Sequence, residues 1–255
     1  IVFGETSDAD YNNIIKDTFI NINTENLSQE TTLNTYTWPE NEIANAILMK
    51  ADLSDLSSDI TNIISAKLYL YQTDSGGDSN YDLSVHRIIN HNPVISEANG
   101  YTYDGVNNWS SSNHRSDGVP LAQGDISSAL NTKTLDLNSG YKEFDITQIV
   151  NHWLENPSEN YGLLINSDDS ASSDSYRFFA STENSDSEKR PYVVVEYSST
   201  EDTEEQNQTE ETHPADINND GVIDFSEINN YLDKWLNGEV TIDELLSGIN
   251  EWRGL

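Results

Sequence analysis

The most chemically specific stretch of the chain is a twelve-residue segment, DINNDGVIDFSE at 216–227, in which oxygen-bearing residues recur at fixed spacing. Calcium takes roughly six to eight oxygen ligands, and calcium-binding loops supply them at alternate positions around a glycine turn, with an acidic residue at the end. The candidate ligands are Asp216, Asn218, Asp220, the backbone carbonyl of Val222, Asp224 and Glu227. This spacing predicts Ca²⁺ as a cofactor; the alternative is an Asp- and Asn-rich turn without a metal.

A second set of candidate residues lies in a long polar stretch, 90–124. Loops of this length in compact domains are usually functional or disordered. Aromatic rings can stack on the apolar faces of sugars, while basic side chains donate to hydroxyls or carboxylates, so the stretch is a candidate glycan site. The residues concerned are Tyr101, Tyr103, Trp109, His114 and Arg115. Alternatively, Trp109 and Tyr103 fold back as a small core that pins the loop.

Basic residues are scarce, with 12 Lys and Arg against 45 Asp and Glu, so those that fall in predicted strands are conspicuous. Arg87 and Arg177 could line one face of a sheet and hold the carboxylates of acidic sugars through bidentate contacts. The alternative is that each arginine pairs with a neighbouring aspartate.

The sequence lacks the common signatures of catalysis. It contains no Cys nucleophile, no G-x-S-x-G segment and no H-E-x-x-H segment, and its five His residues lack metal-ligand spacing. Paired carboxylates of a glycosidase could be present among the acids, and Tyr101 with His114 or Arg115 could serve a polysaccharide lyase. We therefore expect a non-catalytic protein, with a lyase or hydrolase acting on an acidic glycan as an alternative.

The formal net charge of −33 restricts the partners. Such a surface repels nucleic acids and anionic membranes, so we expect no nucleic-acid partner and no membrane insertion. Because the chain has no cysteine, bound Ca²⁺ is expected to provide the cross-link that disulfides cannot. A start at Ile1 rather than Met, together with Asn-x-Ser/Thr triplets, predicts a processed protein that is secreted or held at the cell surface.

The elements that would position these residues are predicted to be mainly strands, because short apolar runs alternate with Asn-, Asp-, Ser- and Gly-rich clusters between about 17 and 197. We expect a mainly β fold, a β-sandwich or jelly roll with one short helix. The helix follows a capping box of Asp145 and Gln148, ends before Pro157 and buries Trp153. The predicted strands are Thr18–Asn23, Ala46–Asp52, Ala66–Tyr71, Leu83–Ile89, Thr134–Leu137, Tyr161–Asn166, Tyr176–Ala180 and Tyr192–Tyr197.

The C-terminal part of the chain has a different pattern. Residues 199–213 carry six acidic residues and no apolar side chain, which predicts a solvated linker. After the acidic loop, apolar residues at helical spacing predict a helix through Ile228, Tyr231 and Trp235. A weaker copy of the loop, to which we assign no metal, precedes a second helix through Leu245 and Trp252. We expect a β-sandwich over 1–198, a linker over 199–213 and a calcium-binding helical pair over 214–255.

Several short runs, in the same order, resemble those of disaggregatase-related (DNRLRE-type) carbohydrate-binding modules over roughly 13–198. They are Val85-His86-Arg87-Ile88, Glu143-Phe144-Asp145-Ile146-Thr147, Asn160-Tyr161-Gly162-Leu163 and Arg190-Pro191-Tyr192-Val193. The two loop–helix units that follow resemble a dockerin with an EF-hand-like calcium loop. The resemblance implies a surface module that binds polysaccharide and whose tail meets a cohesin-like or cell-envelope protein. A structural or adhesive envelope domain with a protein partner is the alternative.

Overall fold

The computed structural model describes residues 2–4, 14–39, 42–54, 56, 60–111, 118–199, 213–218, 220 and 222–253. The chain divides into two compact units, Ile1–Ser199 and Thr200–Leu255, which we describe separately. Nearly all of the predicted acidic linker, 200–212, lies outside the described residues, as do His114 and Arg115.

The first unit is mainly β. Its described residues form one curled sheet of eleven strands, in which neighbouring strands pair antiparallel. The strands are β1 (Val2–Phe3), β2 (Ile15–Asn21), β3 (Thr32–Trp38), β4 (Glu42–Ala51), β5 (Ile60–Gly76), β6 (Tyr81–Arg87), β7 (Asn131–Leu135), β8 (Gly140–Asp145), β9 (Leu163–Asn166), β10 (Ser175–Ala180) and β11 (Tyr192–Ser199).

Two long strands organise the sheet, because each pairs with three neighbours. Strand β4 pairs with β2, β3 and β9, and strand β5 pairs with β8, β10 and β11. A strand has only two edges, so its partners must change along its length. The twist of the strands then curls the sheet over itself and encloses a core.

Alternation along β5 decides which of its side chains enter that core. Ala66, Leu68 and Leu70 are buried, while Lys67 and Tyr69 between them remain partly exposed. The sequence alone left open which of these two faces points inward. Each fully buried aliphatic side chain of this kind contributes roughly 1.5–3 kcal/mol to folding.

One helix covers the core beside β5. Helix α1 spans Thr147–Glu155 and buries Ile149, Val150 and Trp153, as the apolar spacing predicted. The predicted capping box is wrong, because Ile146 is the N-cap and no side chain caps the helix. The carboxylate of Asp145 instead accepts a hydrogen bond from the backbone N–H of Thr147 at 2.9 Å.

The second unit contains two helices around a small core. Helix α2 spans Phe225–Leu236 and helix α3 spans Ile242–Trp252. Their buried apolar residues, with those of the preceding loop, are Ala215, Ile223, Ile228, Tyr231 and Leu245. Among the described residues, none of the helices has both the length and the apolar character needed to cross a membrane.

Candidate functional site

The acidic loop before α2 folds around its own backbone. The carboxylate of Asp216 accepts from the backbone N–H of Asp220 at 3.3 Å, and the side-chain oxygen of Asn218 accepts from the same N–H at 2.8 Å. The carboxylate of Asp220 in turn accepts from the N–H of Val222 at 3.0 Å. These bonds tie three of the candidate ligands to the backbone of one turn.

Glu227 ties the two ends of this loop together. One oxygen of its buried carboxylate accepts from the backbone N–H groups of Ile217 at 3.0 Å and Asn218 at 3.1 Å, and the other accepts from Asp224 at 3.0 Å. The bond to Asp224 also completes a capping box at the start of α2. The same carboxylate therefore closes the loop and starts the helix.

Within the described residues, no group of three or more His, Cys, Asp or Glu side chains is placed to hold a metal ion. The described residues of the loop therefore form no preformed metal centre, and the identification of the tail as dockerin-like is wrong. The physical reason is that carboxylate oxygens of the loop bond to backbone N–H groups instead of facing one common point. The donor set itself, consisting only of hard oxygen atoms, still fits calcium chemically.

In the first unit, the predicted aromatic platform is largely a small core. Trp109 is 3% exposed, and its indole N–H donates to the backbone carbonyl of Asn99 at 2.8 Å. Tyr103 stacks on His91 with ring centroids 4.4 Å apart and meets the edge of Trp109. Only Tyr101, at 37%, keeps an exposed ring. The geometry matches the alternative in which the two side chains fold back and pin the loop.

Other contacts of this stretch fix its path against the sheet. The fully buried carboxylate of Asp125 accepts from both the backbone N–H and the hydroxyl of Ser110, and contacts the His91 ring at 2.9 Å. Gly100 lies so close to the backbone of Asn21 that an added Cβ would be 1.8 Å from its carbonyl oxygen. Asp125 therefore joins separate parts of the stretch to each other, and Gly100 holds its middle beside β2.

Neither predicted arginine site is free to receive a sugar carboxylate in this geometry. Arg177 is fully buried, and its guanidinium donates to the backbone carbonyls of Gly76, Asp78, Leu135, Asp136 and Tyr176 at 2.7–3.2 Å. Burial lowers its pKa. Arg87 lies 2.5 Å from His152 and 3.5 Å from Glu159. Neither arginine has the aspartate partner that the sequence suggested as the alternative. Arg177 binds backbone carbonyl groups, and Arg87 contacts His152 and Glu159.

A cleft of about 470 Å³ lies between the start of the long polar stretch and strands β2 and β4. Its lining includes Lys16, Asp17 and Lys50 from the strands, residues 92–96 from the loop, and Thr182 and Glu183 after β10. Asp17 is 3% exposed and accepts from the backbone N–H and the hydroxyl of Thr182. We call this feature the β2–β4 cleft.

The sequence gives little indication of the β2–β4 cleft, because its walls come from five separated segments. Asp17 and Glu183 are 166 positions apart, and no spacing rule connects them. The one available signal is the rarity of lysine in so acidic a chain. The register of β2 against β4, which brings Lys16 and Lys50 together, becomes visible only in the fold.

A family model described as TGF-beta propeptide matches residues 122–195, less than a third of the chain. The match begins before β7 and ends within β11. No curated protein matches the chain. The match is to a different family from the one the sequence resembles, so the assignment to disaggregatase-related carbohydrate-binding modules is wrong. The short runs that carried it lie in or beside strands, where common β patterns recur.

An extracellular location is consistent with the match to a propeptide model.

Proposed function

We propose that this protein is a non-catalytic, calcium-binding module of the cell surface that binds polysaccharide. The observation that carries the proposal is the oxygen donor set at 216–227, in which Asp216 and Glu227 are both buried.

Two observations support calcium binding by this loop: the chemistry of its oxygen donors, and the hydrogen bonds by which Glu227 closes the loop. Calcium would be held by the side-chain oxygens of Asp216, Asn218, Asp220, Asp224 and Glu227 together with the carbonyl of Val222. When bound, the ion supplies the loop with a charge that offsets its carboxylates. The backbone N–H groups that Glu227 now satisfies lie at both ends of the loop, so its carboxylate already holds the chain in the required turn.

The polysaccharide role is supported by the first unit. In the proposal its curled sheet closes as a β-sandwich of the jelly-roll kind. The Trp109 core holds the long stretch rigidly, which reduces the entropy lost on binding a ligand at its edge. The β2–β4 cleft, at about 470 Å³, falls in the size range of small-molecule sites and combines apolar walls with a few polar groups.

Binding to a panel of immobilised neutral and uronic-acid polysaccharides tests the proposal. We expect the full chain to bind at least one of them without releasing reducing or unsaturated ends. Binding should persist in a calcium chelator, because the residues of the β2–β4 cleft include no candidate calcium ligand of the acidic loop. Release of sugar fragments would show that the protein is a lyase or hydrolase rather than a binding module. Absence of binding to every polysaccharide tested would refute the proposal.

A protein partner is the second candidate, and one observation favours it. Several apolar side chains of the second unit are exposed, including Phe225 at 67% and Trp252 at 43%, whose rings lie 6.2 Å apart. Exposed apolar patches of this kind often mark protein contacts. In this alternative a cell-envelope protein binds the tail. Its test is capture of such a protein by the full chain and loss of capture in Phe225→Ser, with polysaccharide binding unaffected.

A further inference from the structure

Two lysines on paired strands line the β2–β4 cleft. Lys16 in β2 and Lys50 in β4 are directly opposed in the antiparallel register. Side chains at opposed positions lie on the same face of a sheet, and like charges placed there destabilise the pairing. Burial and, secondarily, the charge of Lys16 lower the pKa of Lys50. The fold therefore retains an arrangement that costs stability.

The lysine pair also forms no ion pair among the described residues. Among the described residues, neither ammonium group forms an ion pair with Asp or Glu; Lys50 instead donates to the side-chain oxygen of Asn92 at 2.5 Å. Lys67, Lys142 and Lys189 each pair with a carboxylate at 2.7–2.8 Å. The chain has 45 acidic residues, yet these two neighbouring lysines form no ion pair with any that the structure describes. They are therefore positioned to bind an anionic ligand.

The acidic residues of the β2–β4 cleft restrict what that anion can be. Glu183 and the buried Asp17, which follows Lys16 in β2, also line the cleft, and both contact the hydroxyl of Thr182. A phosphate, which carries a charge of about −1.5 to −2 near neutral pH, would be repelled by these carboxylates. A ligand with a single carboxylate and several hydroxyls suits both the lysines and the acidic residues, because hydroxyls can donate to carboxylates.

We propose that the β2–β4 cleft binds a uronic acid residue, with its carboxylate between Lys16 and Lys50 and its hydroxyls toward Thr182 and Glu183. This inference rests on the proposed polysaccharide binding and names the site and the sugar class. The net charge of −33 does not prevent such binding, since the Debye length at physiological salt is about 8 Å and the lysines lie within that distance of the ligand.

The test is an NMR titration of the full chain with sodium glucuronate, compared with glucose and with inorganic phosphate at equal ionic strength. We expect glucuronate to bind at least about tenfold more tightly than either, because glucose lacks the carboxylate that the lysines would hold and phosphate is repelled by the acidic residues of the cleft. Lys50→Gln and Lys16→Gln should each weaken glucuronate binding by about tenfold or more. Lys133→Gln, which changes an exposed lysine of β7 outside the cleft, should leave it unchanged.

Thermal melts show whether the variants fold. Relief of the lysine repulsion should keep the melting temperatures of both cleft variants at or above that of the parent. Equal binding of phosphate and glucuronate, or undiminished glucuronate binding by a folded Lys50→Gln protein, would overturn the inference. Polysaccharide binding by that same variant would show that the proposed function survives elsewhere on the molecule. Absence of polysaccharide binding by the parent chain would remove both proposals together.

Discussion

Thr182 shares one hydroxyl between two carboxyl groups. Its Oγ1 lies 3.0 Å from an oxygen of Asp17 and 2.6 Å from an oxygen of Glu183. A hydroxyl carries a single proton and can donate to only one of them, so the second contact is favourable when a carboxyl group is protonated. Burial, reinforced by the charge of Glu183, raises the pKa of Asp17 to about 7. Asp17 is therefore the carboxyl group best placed to carry that proton.

The raised pKa of Asp17 makes folding stability depend on pH. The acid ionises near 3.8 in the unfolded chain but near 7 in the folded one, so the folded state holds the proton more tightly. Its contribution is complete below pH 3.8 and falls as pH rises toward 7, by up to roughly 4 kcal/mol. We expect urea unfolding to show that the free energy of unfolding falls less between pH 5 and pH 8 in Asp17→Asn than in the parent.

The matched control is Asp186→Asn, because Asp186 is an exposed acid whose pKa is lowered by Lys189. That variant should retain the loss of stability between pH 5 and pH 8. An Asp17→Asn protein with the same loss as the parent would show that Asp17 ionises normally in the fold.

Other single residues show how far residue type can predict a role. The sequence correctly placed Trp153 in the core, because it continues the apolar stripe of one helix. Arg177 carried no such signal, since alternation along a strand does not reveal which neighbouring carbonyls are left without partners. Trp109 was open to two interpretations for the same reason. Burial in a loop depends on contacts that no local spacing encodes.

At the scale of elements, a strand with clear apolar residues such as β10 was predictable, whereas β3, which buries two threonines, was not. The predicted strand Tyr176–Ala180 coincides almost fully with β10. Strand β3 was missed because two of its inward residues, Thr35 and Thr37, are polar. Their hydroxyls donate to the carbonyls of Arg177 and Asp168, each at 2.7 Å, which offsets the cost of burial. A hydrophobic pattern cannot detect a strand of this kind.

The start of α2 allows a matched test of the calcium loop. Glu227 and Glu244 occupy equivalent places, since each accepts a backbone N–H three residues earlier, from Asp224 and Thr241. Only Glu227 follows a complete donor set. By calorimetric titration, we expect Glu227→Ala to reduce Ca²⁺ affinity by on the order of 100-fold, through loss of a bidentate ligand.

Glu244→Ala removes a comparable helix-capping contact and should leave calcium affinity within about twofold of the parent, because it removes no ligand. Equal losses in the two variants would mean that helix capping, rather than coordination, governs the affinity. An unchanged affinity in Glu227→Ala would exclude this residue as a ligand.

At the scale of the whole molecule, the two units differ greatly in the amount of core they possess. The first unit contains two clusters of buried apolar residues around its sheet, whereas the described part of the second has one cluster of five. Helical segments this small rarely fold firmly without a metal, a disulfide or a partner, and the chain has no cysteine. The tail is therefore the part whose stability should respond to an added ion.

Scanning calorimetry of the full chain tests this difference. We expect two transitions, of which only the smaller moves to higher temperature with calcium. At a calcium concentration 100 times the dissociation constant, the bound ion should stabilise the tail by about 2.7 kcal/mol. Chelator should lower that transition and leave the larger one in place. Movement of the larger transition alone would locate the ion in the β unit instead.

The three-way pairing of β5 has an evolutionary consequence. A residue inserted into or deleted from this strand would shift its register against β8, β10 and β11 at the same time. Among the described residues β7 pairs with β6 alone, at the end of the strand order, so the same change in β7 disturbs a single register. Length variation among natural homologues should therefore accumulate near β7 and be rare within β5.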